Sequence, residues 1–315
     1  MHEGKARDAQ LIIFPDGTLY HIDLKKADNI PRNLFFVGAA ERVDTIAEKF
    51  DTITFTHRNK ARPEFYIKVG MYDGISMAVL SCGIGPSNIE IVMNELHALF
   101  EYDHERNEWN FTKQTPINII RVGTAGTSLE DVPAGALAIS EYSFGLDNLG
   151  AYYPVLNRST TTMEIEKEFL KTKIGTINPL LYCSEATPRV VRALKHSSQM
   201  FGESDIASGI TIASPGFFGP EGRMVGRIKP ELSSYEFLVA VQGFRAGERK
   251  IVNLEMETGI LFRIAHEILG YNVGAVCLVV DNLATNKVLE KREVGERMDR
   301  CVCVALDAMV ELQEK

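Results

Sequence analysis

Arg121 is the residue whose surroundings most require a chemical explanation. It follows the apolar run Ile117 to Ile120 and precedes Gly123, Thr124 and further small residues. A guanidinium within a strand of isoleucine and valine is costly unless it meets an anion or an acidic partner. The pattern favours an anion site made by Arg121, the Thr124 hydroxyl and the amides of the following loop, with a structural salt bridge as the alternative.

Two other junctions join an apolar run to a glycine-rich turn, a position where α/β proteins bind ligands. In Val37 to Arg42, the glycine would let the backbone approach a ligand and Arg42 would supply charge. The alternative is a plain turn followed by a surface arginine. In Ser81 to Asn88, Asn88 stands where a dinucleotide fingerprint has its third glycine, and no acidic residue ends a following strand at the usual spacing. A structural strand-to-helix turn is favoured there.

The segment Asn253 to Thr258 carries two glutamates, Glu255 and Glu257, where we predict the start of a helix. Glutamates in a first turn often only complement the helix dipole. The alternative is a sugar-binding carboxylate, because two vicinal hydroxyls present two donors that one carboxylate accepts together.

The elements that must position these residues alternate between apolar runs and amphipathic stretches, which predicts an α/β protein layered around one sheet. The predicted strands are Leu34 to Val37, Ser76 to Cys82, Ile117 to Val122, Ala136 to Ile139, Ser208 to Ala213 and Ala275 to Val280. The predicted helices are Arg42 to Phe50, Pro86 to Phe100, Pro188 to Met200, Glu257 to Leu269 and Val294 to Leu312. The polar stretch Leu146 to Thr162 is expected to be an excursion. Because there is no repeat, low-complexity tract or obvious linker, we predict one domain over residues 1–315.

Composition narrows the classes of protein. With 315 residues and 45% hydrophobic residues, the chain is long enough to bury a full core. A net charge of -8 disfavours a nucleic-acid partner, although local arginines can still bind a small anion. No apolar run reaches the roughly 18 to 20 residues that cross a membrane, and Met1 to Gln10 is not signal-like. We expect a soluble, cytoplasmic protein without a membrane partner.

The five cysteines do not form a metal-binding pattern. Neither CxxC nor HExxH occurs, so we expect no metal. Those in apolar segments, which are typical of buried, reduced thiols, are Cys82, Cys277, Cys301 and Cys303.

Five segments resemble motifs of the uridine phosphorylases, a family of nucleoside phosphorylases. Arg121 to Gly126 (RVGTAG) is similar to their RIGTTG or RIGTSG segment, and Asn253 to Thr258 (NLEMET) to NxEMES. Gly38 to Arg42 resembles the GDPxRV loop, and Leu19 to Leu24 (LYHIDL) is similar to LYHFNL of eukaryotic members. Phe217 to Arg223 (FFGPEGR) resembles the base-binding FYEGQGR. The motifs keep the family's order, and they imply its single-domain fold, a central mixed β-sheet flanked by helices.

The resemblance implies an enzyme that uses inorganic phosphate, a co-substrate, to cleave the bond between ribose and base without a cofactor. The implied phosphate ligands are Gly38, Arg42, Arg121 and Thr124. An arginine of the partner subunit would add to them, and spacing to Gly83 favours Arg62 over Arg58 without deciding between the two.

The resemblance also implies contacts to the nucleoside. Glu257 would accept from the ribose 2′- and 3′-hydroxyls, and His21 would contact the 5′-hydroxyl from a neighbouring subunit. The other implied ribose contacts are Thr124 and Met256. The implied base-binding residues are Ala125, Gly126, Phe217, Glu221, Arg223 and Asp281. Of these, Phe217 would stack on the base and Arg223 would donate to its exocyclic oxygen. The implied catalytic residues are Arg42, Arg121, Arg223 and Glu257.

Shared sites would make a homodimer the smallest active unit, with a trimer of dimers as the other expected assembly. Residues 1–30 would then form an arm that reaches the partner subunit. The expected reaction is phosphorolysis of uridine, with deoxyuridine a further candidate substrate, to uracil and the pentose 1-phosphate.

Two positions depart from the family pattern. Glu221 stands where a glutamine donates to uracil O4 and accepts from N3–H, and an ionised glutamate only accepts. Either Glu221 is protonated, or the loop is shifted, or the base is not uracil. Asp281 stands where pyrimidine enzymes carry asparagine, and related purine enzymes have an aspartate that protonates N7. A purine or broad-specificity phosphorylase is therefore the first alternative, and a non-catalytic storage or binding protein on the same fold is the second.

Overall fold

The computed structural model describes residues 9–110, 116–203 and 205–313. Its contacts group into two compact units, of which the first contains residues 1–83 and 87–118 and the second residues 84–86 and 119–315. The predicted N-terminal arm is described from residue 9 onward, and residues 1–8 lie outside the described part. The single-domain assignment stays a prediction.

The first unit contains a sheet with the strand order β1-β4-β3-β2. Its strands are β1 Asn33–Val37, β2 Thr52–Arg58, β3 Tyr66–Tyr72 and β4 Ile75–Ser81, followed by the hairpin strands β5 Tyr102–Asp103 and β6 Glu108–Trp109. Its helices are α1 Glu41–Ala47, the 3₁₀ turn Lys26–Asp28 and α2 Pro86–Glu101, which belongs to this unit from Ser87 onward. Strand β1 pairs parallel to β4, and the β2-β3-β4 meander is antiparallel.

The second unit contains the strand order β13-β12-β8-β10-β11-β7, with β9 paired to β8. Its strands are β7 Asn118–Thr127, β8 Leu137–Gly145, β9 Tyr182–Glu185, β10 Ile206–Ala213, β11 Ile251–Glu255, β12 Asn272–Asn282 and β13 Lys287–Val288. Its α-helices are α3 Thr160–Phe169, α4 Lys173–Ile177, α5 Pro188–Met200, α6 Ser234–Gly243, α7 Thr258–Phe262 and α8 Lys291–Glu311. An additional β12–β7 pairing closes the strands between them into a ring.

Local sequence explains several of these elements. Helix α5 begins with Pro188, where a missing amide costs little because first-turn amides have no helical acceptor. Helix α6 begins after a capping box in which Ser233 accepts from the Glu236 amide and Glu236 bonds back to the Ser233 amide. Strand β12 is buried over most of its length, as expected for its nearly continuous apolar run.

The predicted α/β class with mixed β-sheet and helices is confirmed. Helix α5 has the predicted bounds, and the other predicted elements are present with ends that move by a few residues. The prediction missed β2, β3, β5, β6, β9, β11, β13, α3, α4 and α6. The predicted excursion Leu146 to Thr162 contains a 3₁₀ turn, Leu149–Tyr152, and the start of α3.

Two predicted boundaries near the candidate site were wrong. Strand β7 does not end at Val122 but continues through Thr127, so the predicted anion-binding loop lies within a strand. The segment Asn253 to Thr258 begins a helix only at its last residue, because β11 runs to Glu255 and α7 begins at Thr258, one residue after the predicted Glu257. The second half of the predicted helix is a π-helical turn, Arg263–Ile268.

Candidate active site

Arg121 lies in the middle of β7 with only 5% of its surface exposed. Its Nη2 forms an ion pair with Glu257 and lies 3.4 Å from Glu255 Oε2, and its Nη1 lies 3.2 Å from Cys277 Sγ. Burial lowers the pKa of Arg121, but the two carboxylates raise it by more, so the guanidinium stays charged. The acidic partner of the salt-bridge alternative is therefore present, and phosphate binding by Arg121 stays a prediction.

Glu255 is the carboxylate that organises the start of α7. Its side chain accepts from the Glu257 amide at 3.0 Å, the Thr258 amide at 3.0 Å and the Thr258 hydroxyl at 2.6 Å. Burial raises the pKa of Glu255, and the nearby Glu257 charge adds to the increase. Glu255 thus caps the start of α7 from the end of β11, which leaves Glu257 for another task.

Glu257 is also buried, with 4% exposure. Its Oε1 accepts from the Gly85 amide at 2.7 Å, and its Oε2 accepts from Arg121. Both oxygens are therefore fixed in place, while each keeps a second lone pair for a further donor. A carboxylate held in this way can accept two hydroxyl groups without rearranging, as a vicinal diol requires. Met256, between β11 and α7, is half-buried.

The glycines of β7 are explained by close approach rather than by a turn. A Cβ at Gly123 would lie 1.9 Å from Arg121 Nη1 and 2.9 Å from Cys277 Sγ. A Cβ at Gly126 would lie 2.9 Å from Asp281 Oδ1. The absence of a side chain at Gly123 makes room for the Arg121 guanidinium, and its absence at Gly126 makes room for the Asp281 carboxylate. Between them, Thr124 is half-buried and Ala125 is buried.

A second arginine, Arg223, bridges two more carboxylates in the same unit. Its Nε lies 2.8 Å from Glu221 Oε2 and its Nη2 lies 3.2 Å from Asp281 Oδ2. The Phe217 ring covers the Arg223 guanidinium, whose central carbon lies 4.0 Å from the ring centroid. Burial raises the pKa of Glu221 to about 7, despite the opposing effect of Arg223. The predicted base-binding residues Phe217, Glu221, Arg223 and Asp281 therefore form one cluster, which also meets Gly126.

In the first unit, His21 is held by a buried carboxylate from α2. Glu95 accepts from the His21 amide at 3.0 Å, from the Ile22 amide at 2.8 Å and contacts His21 Nδ1 at 2.6 Å. The Asn59 side chain donates to the His21 carbonyl at 2.8 Å. With Nδ1 directed at Glu95, Nε2 is the ring nitrogen that remains for another contact.

The two candidate partner-subunit arginines differ in position. The Arg62 guanidinium lies 4.3 Å from the centroid of Tyr20, the residue before His21, and its amide donates to Asn59 at 3.0 Å. Arg58 is exposed and donates from Nε to the Pro63 carbonyl at 2.8 Å. Only Arg62 of the two therefore contacts the residue next to His21 in the described structure.

The other predicted phosphate ligands lie at the end of β1. A Cβ at Gly38 would lie 3.4 Å from the Gly83 carbonyl oxygen, and Gly83 has a φ of +72°. Arg42 is half-buried in the first turn of α1, where its amide donates to the Ala39 carbonyl at 3.1 Å. The first unit thus brings the Gly38 and Gly83 turns together.

Sequence reasoning missed some residues of these clusters. Glu255 was noted without its own role, and Cys277 and Glu95 were not connected with the site. Glu95 could not have been found from local spacing, because it lies 74 residues from His21. In residues 9–110, 116–203 and 205–313, no group of histidine, cysteine, aspartate and glutamate side chains is arranged to hold a metal ion. No helix among these residues is both long enough and apolar enough to cross a membrane.

The second unit of this mixed α/β fold thus contains two arginine–carboxylate clusters, one around Arg121 and one around Arg223. A model of the Phosphorylase superfamily matches residues 34–313, and the chain belongs to this family. The predicted enzyme class, a pentosyltransferase of the nucleoside phosphorylase type, is thereby confirmed.

Comparisons with individual proteins support this family assignment. The chain is 27% identical over 305 residues to the uridine phosphorylase of Thermococcus kodakarensis, covering 95% of this chain and 88% of the relative. It is also similar to a nucleoside phosphorylase of Trypanosoma brucei, whose crystal structure is described as showing uridine phosphorylase activity. The two chains are 29% identical with a TM-score of 0.86, and the match covers 96% of this chain and 99% of the other. The fold is also similar to that of purine nucleoside phosphorylase from Toxoplasma gondii, at 17% identity, a TM-score of 0.67, and coverage of 96% and 99%.

Proposed function

We propose that this protein catalyses the phosphorolysis of uridine to uracil and ribose 1-phosphate. In this reaction an oxygen of the phosphate dianion bonds to C1′ while the bond from C1′ to N1 of uracil breaks. The electron pair of the broken bond leaves with the base, which then takes up a proton. Because the ribosyl group carries positive charge between these events, the enzyme must place the dianion near C1′ and stabilise the departing base.

The observation that carries this proposal is the pair of arginine–carboxylate clusters in the second unit. Glu257, tied by Arg121 and the Gly85 amide, offers a diol-binding carboxylate. Arg223 lies beside Asp281, which in turn lies against Gly126 of the strand that carries Arg121. The Glu255 charge is also near enough to raise the pKa of Glu221. A nucleoside whose ribose meets Glu257 would therefore direct its base toward Phe217 and Arg223.

The chemical work is divided between positioning and charge stabilisation. Thr124 and Arg121 would orient phosphate, and fixed orientation can supply several kcal/mol of rate acceleration. Arg223 would donate to the base carbonyl oxygen on which negative charge develops as the bond breaks. Gly38 and Arg42 keep the phosphate-binding roles that the resemblance implies for them.

The relatives support uridine as the substrate, since two of them are uridine phosphorylases by name or measured activity. A purine nucleoside is the second candidate, and Asp281 favours it. Its carboxyl lies 3.2 Å from Arg223 Nη2, among the predicted base-binding residues, and an acid there could protonate N7 of a bound purine.

The decisive experiment incubates the protein with uridine, deoxyuridine, thymidine, inosine and adenosine, with and without phosphate, and follows release of the free base. We expect uridine to be cleaved fastest, and only when phosphate is present. Cleavage that is independent of phosphate contradicts phosphorolysis, and faster cleavage of inosine selects the purine alternative.

We further propose that the enzyme acts in cytoplasmic pyrimidine salvage as a homodimer, the smaller of the two expected assemblies, with sites shared between subunits. The support is local, because Arg62 contacts Tyr20 and Asn59 while Asn59 also holds His21. The two residues predicted to reach the partner thus lie side by side.

Mixing inactive subunits tests the shared site. Glu257→Ala and His21→Ala chains, unfolded and refolded together, give mixed dimers in which one site has both residues intact. We expect recovery of about a quarter of the wild-type sites in a random mixture. Light scattering gives the assembly, and a monomer, or no recovery in confirmed mixed dimers, contradicts sharing.

A further inference from the structure

Glu221 is a buried carboxyl group whose two oxygens have different surroundings. The residue is 2% exposed and lies in the connection between β10 and α6. Its Oε2 accepts from Arg223 Nε at 2.8 Å. Among the residues that the structure describes, Oε1 has no hydrogen-bond partner. A proton on this carboxyl group would therefore reside on Oε1, where it displaces no existing contact.

The charges that face Glu221 do not favour its ionised form strongly. Arg223 is the nearby cation, but it also pairs with Asp281 at 3.2 Å, so two carboxylates share one guanidinium. The negative charges of Asp281 on β12 and Glu255 on β11 act on the same group. Burial is the largest influence, and together they give Glu221 a pKa of about 7. The neutral acid is thus available near neutral pH.

A neutral carboxylic acid has a donor and an acceptor side by side. In this respect it matches an amide, whereas a carboxylate only accepts. The edge of uracil that carries O4 and N3–H presents the complementary acceptor and donor. An ionised Glu221 would instead set its negative oxygen against the carbonyl oxygen of the base, and that group would remain unpaired in a buried site.

We propose that Glu221 binds the nucleobase as the neutral carboxylic acid, with Oε1–H donating to a base carbonyl oxygen and Oε2 accepting from the adjacent ring N–H. This inference rests on the proposed function and adds to it a specificity-determining proton. The ligand class is a base with a lactam edge, of which uracil is the expected member. Substrate affinity must then fall once the carboxyl group ionises.

The test compares the KM for uridine of the wild type with that of Glu221→Gln between pH 6 and pH 9, at saturating phosphate. The amide keeps a donor and an acceptor but does not titrate. The wild-type KM, divided by that of the variant, is expected to rise about tenfold per pH unit above pH 7. Ionisation of phosphate and of the uridine N3–H affects both proteins alike and cancels in the ratio.

A second measurement uses the wild type alone, so it does not depend on the folding of the variant. Calorimetric titration with uracil in two buffers of different ionisation enthalpy gives the number of protons taken up on binding. Uptake approaching one proton per site at pH 8, and little at pH 6, supports the proposal. Uptake near zero at both pH values overturns it.

The remaining outcomes are also decisive. A constant KM ratio, or a folded Glu221→Gln protein that does not bind uridine at any pH, overturns the protonated Glu221. Uridine cleavage in the wild type with either of those results leaves the proposed function intact. Failure of the wild type to cleave uridine at any pH in the presence of phosphate overturns both proposals.

Discussion

Two arginines in the second unit each bridge two carboxylates, but their settings differ. Arg121 lies in the middle of a strand, and its partners Glu255 and Glu257 are fixed by the start of α7 and by the Gly85 amide. Arg223 lies in a connecting segment, covered by Phe217, which is itself 44% exposed. The first cluster is part of the folded framework, and the second is less tightly enclosed. Under the proposed function, similar groups would serve positioning in the first cluster and base recognition in the second.

The largest expected effect comes from removing the cation of the framework cluster. Arg121→Met leaves Glu255 and Glu257 buried without a counter-charge, and losing one partner of a buried ion pair typically costs about 3–5 kcal/mol. Arg223→Met is the matched control, because Glu221 can take up a proton and Asp281 is partly exposed. We expect a loss below about 2 kcal/mol for the control. Urea denaturation measures both, and equal losses would abolish the contrast between the clusters.

Glu257→Ala is expected to reduce kcat/KM for uridine by about a thousandfold, because the ribose loses its fixed acceptor. Helix α7 keeps its Glu255 cap, so the variant should remain folded. The measurement pairs steady-state kinetics with a circular dichroism melt. Wild-type rates in a folded Glu257→Ala protein would show that the ribose assignment is wrong.

Gly123→Ala tests how tightly the framework cluster is packed. The new methyl group would lie 1.9 Å from Arg121 Nη1. It must therefore displace the whole guanidinium, whose Nη2 contacts Glu255 and Glu257. We expect a loss of about 1–3 kcal/mol in the free energy of unfolding. Gly219→Ala, in the segment that carries Phe217, is the control, since its Cβ would meet nothing within 4 Å. A thermal melt in which both variants behave like the wild type would refute the close approach.

The pH dependence of stability distinguishes the second cluster from the first. Glu221 has a pKa of about 7 in the folded protein, above its ordinary value of 4.5, so the folded state holds its proton more tightly. Its contribution to stability is full below pH 4.5 and is lost as pH rises through about 7. Relative to Glu221→Gln, the wild type should lose about 3 kcal/mol as pH rises from below 4.5 to above 7. Parallel stability curves for the two proteins would contradict the raised pKa.

The sequence was sufficient for features that depend on short-range pattern. Apolar runs predicted the strands that carry Arg121 and Asp281, and the proline at position 188 fixed the start of α5. Strand β2 was missed because its residues, in the burial pattern of an outer strand, are mostly exposed and offer no continuous apolar run. The glycines of β7 suggested a loop, since a sequence does not distinguish a glycine needed for a turn from one needed for close approach.

Other features depend on burial or on distant residues. The high pKa of Glu221 arises from desolvation and from Asp281, which lies far along the chain, so composition alone could only raise the question of protonation. A salt bridge of Arg121 was one of two alternatives in the sequence, and its partner Glu257 was not identified. In both cases the residue type was informative, and the partner was not visible from spacing.

The contact between His21 and Glu95 has a consequence for how the first unit forms. It joins positions 74 residues apart, and it fixes a segment whose side chains Leu19, Ile22 and Leu24 are almost wholly buried. Closing so long a loop is entropically expensive until the intervening strands are in place. The arm is therefore expected to dock late in folding, and a shortened chain lacking residues up to Leu24 would expose the surface that these side chains cover and become prone to aggregation.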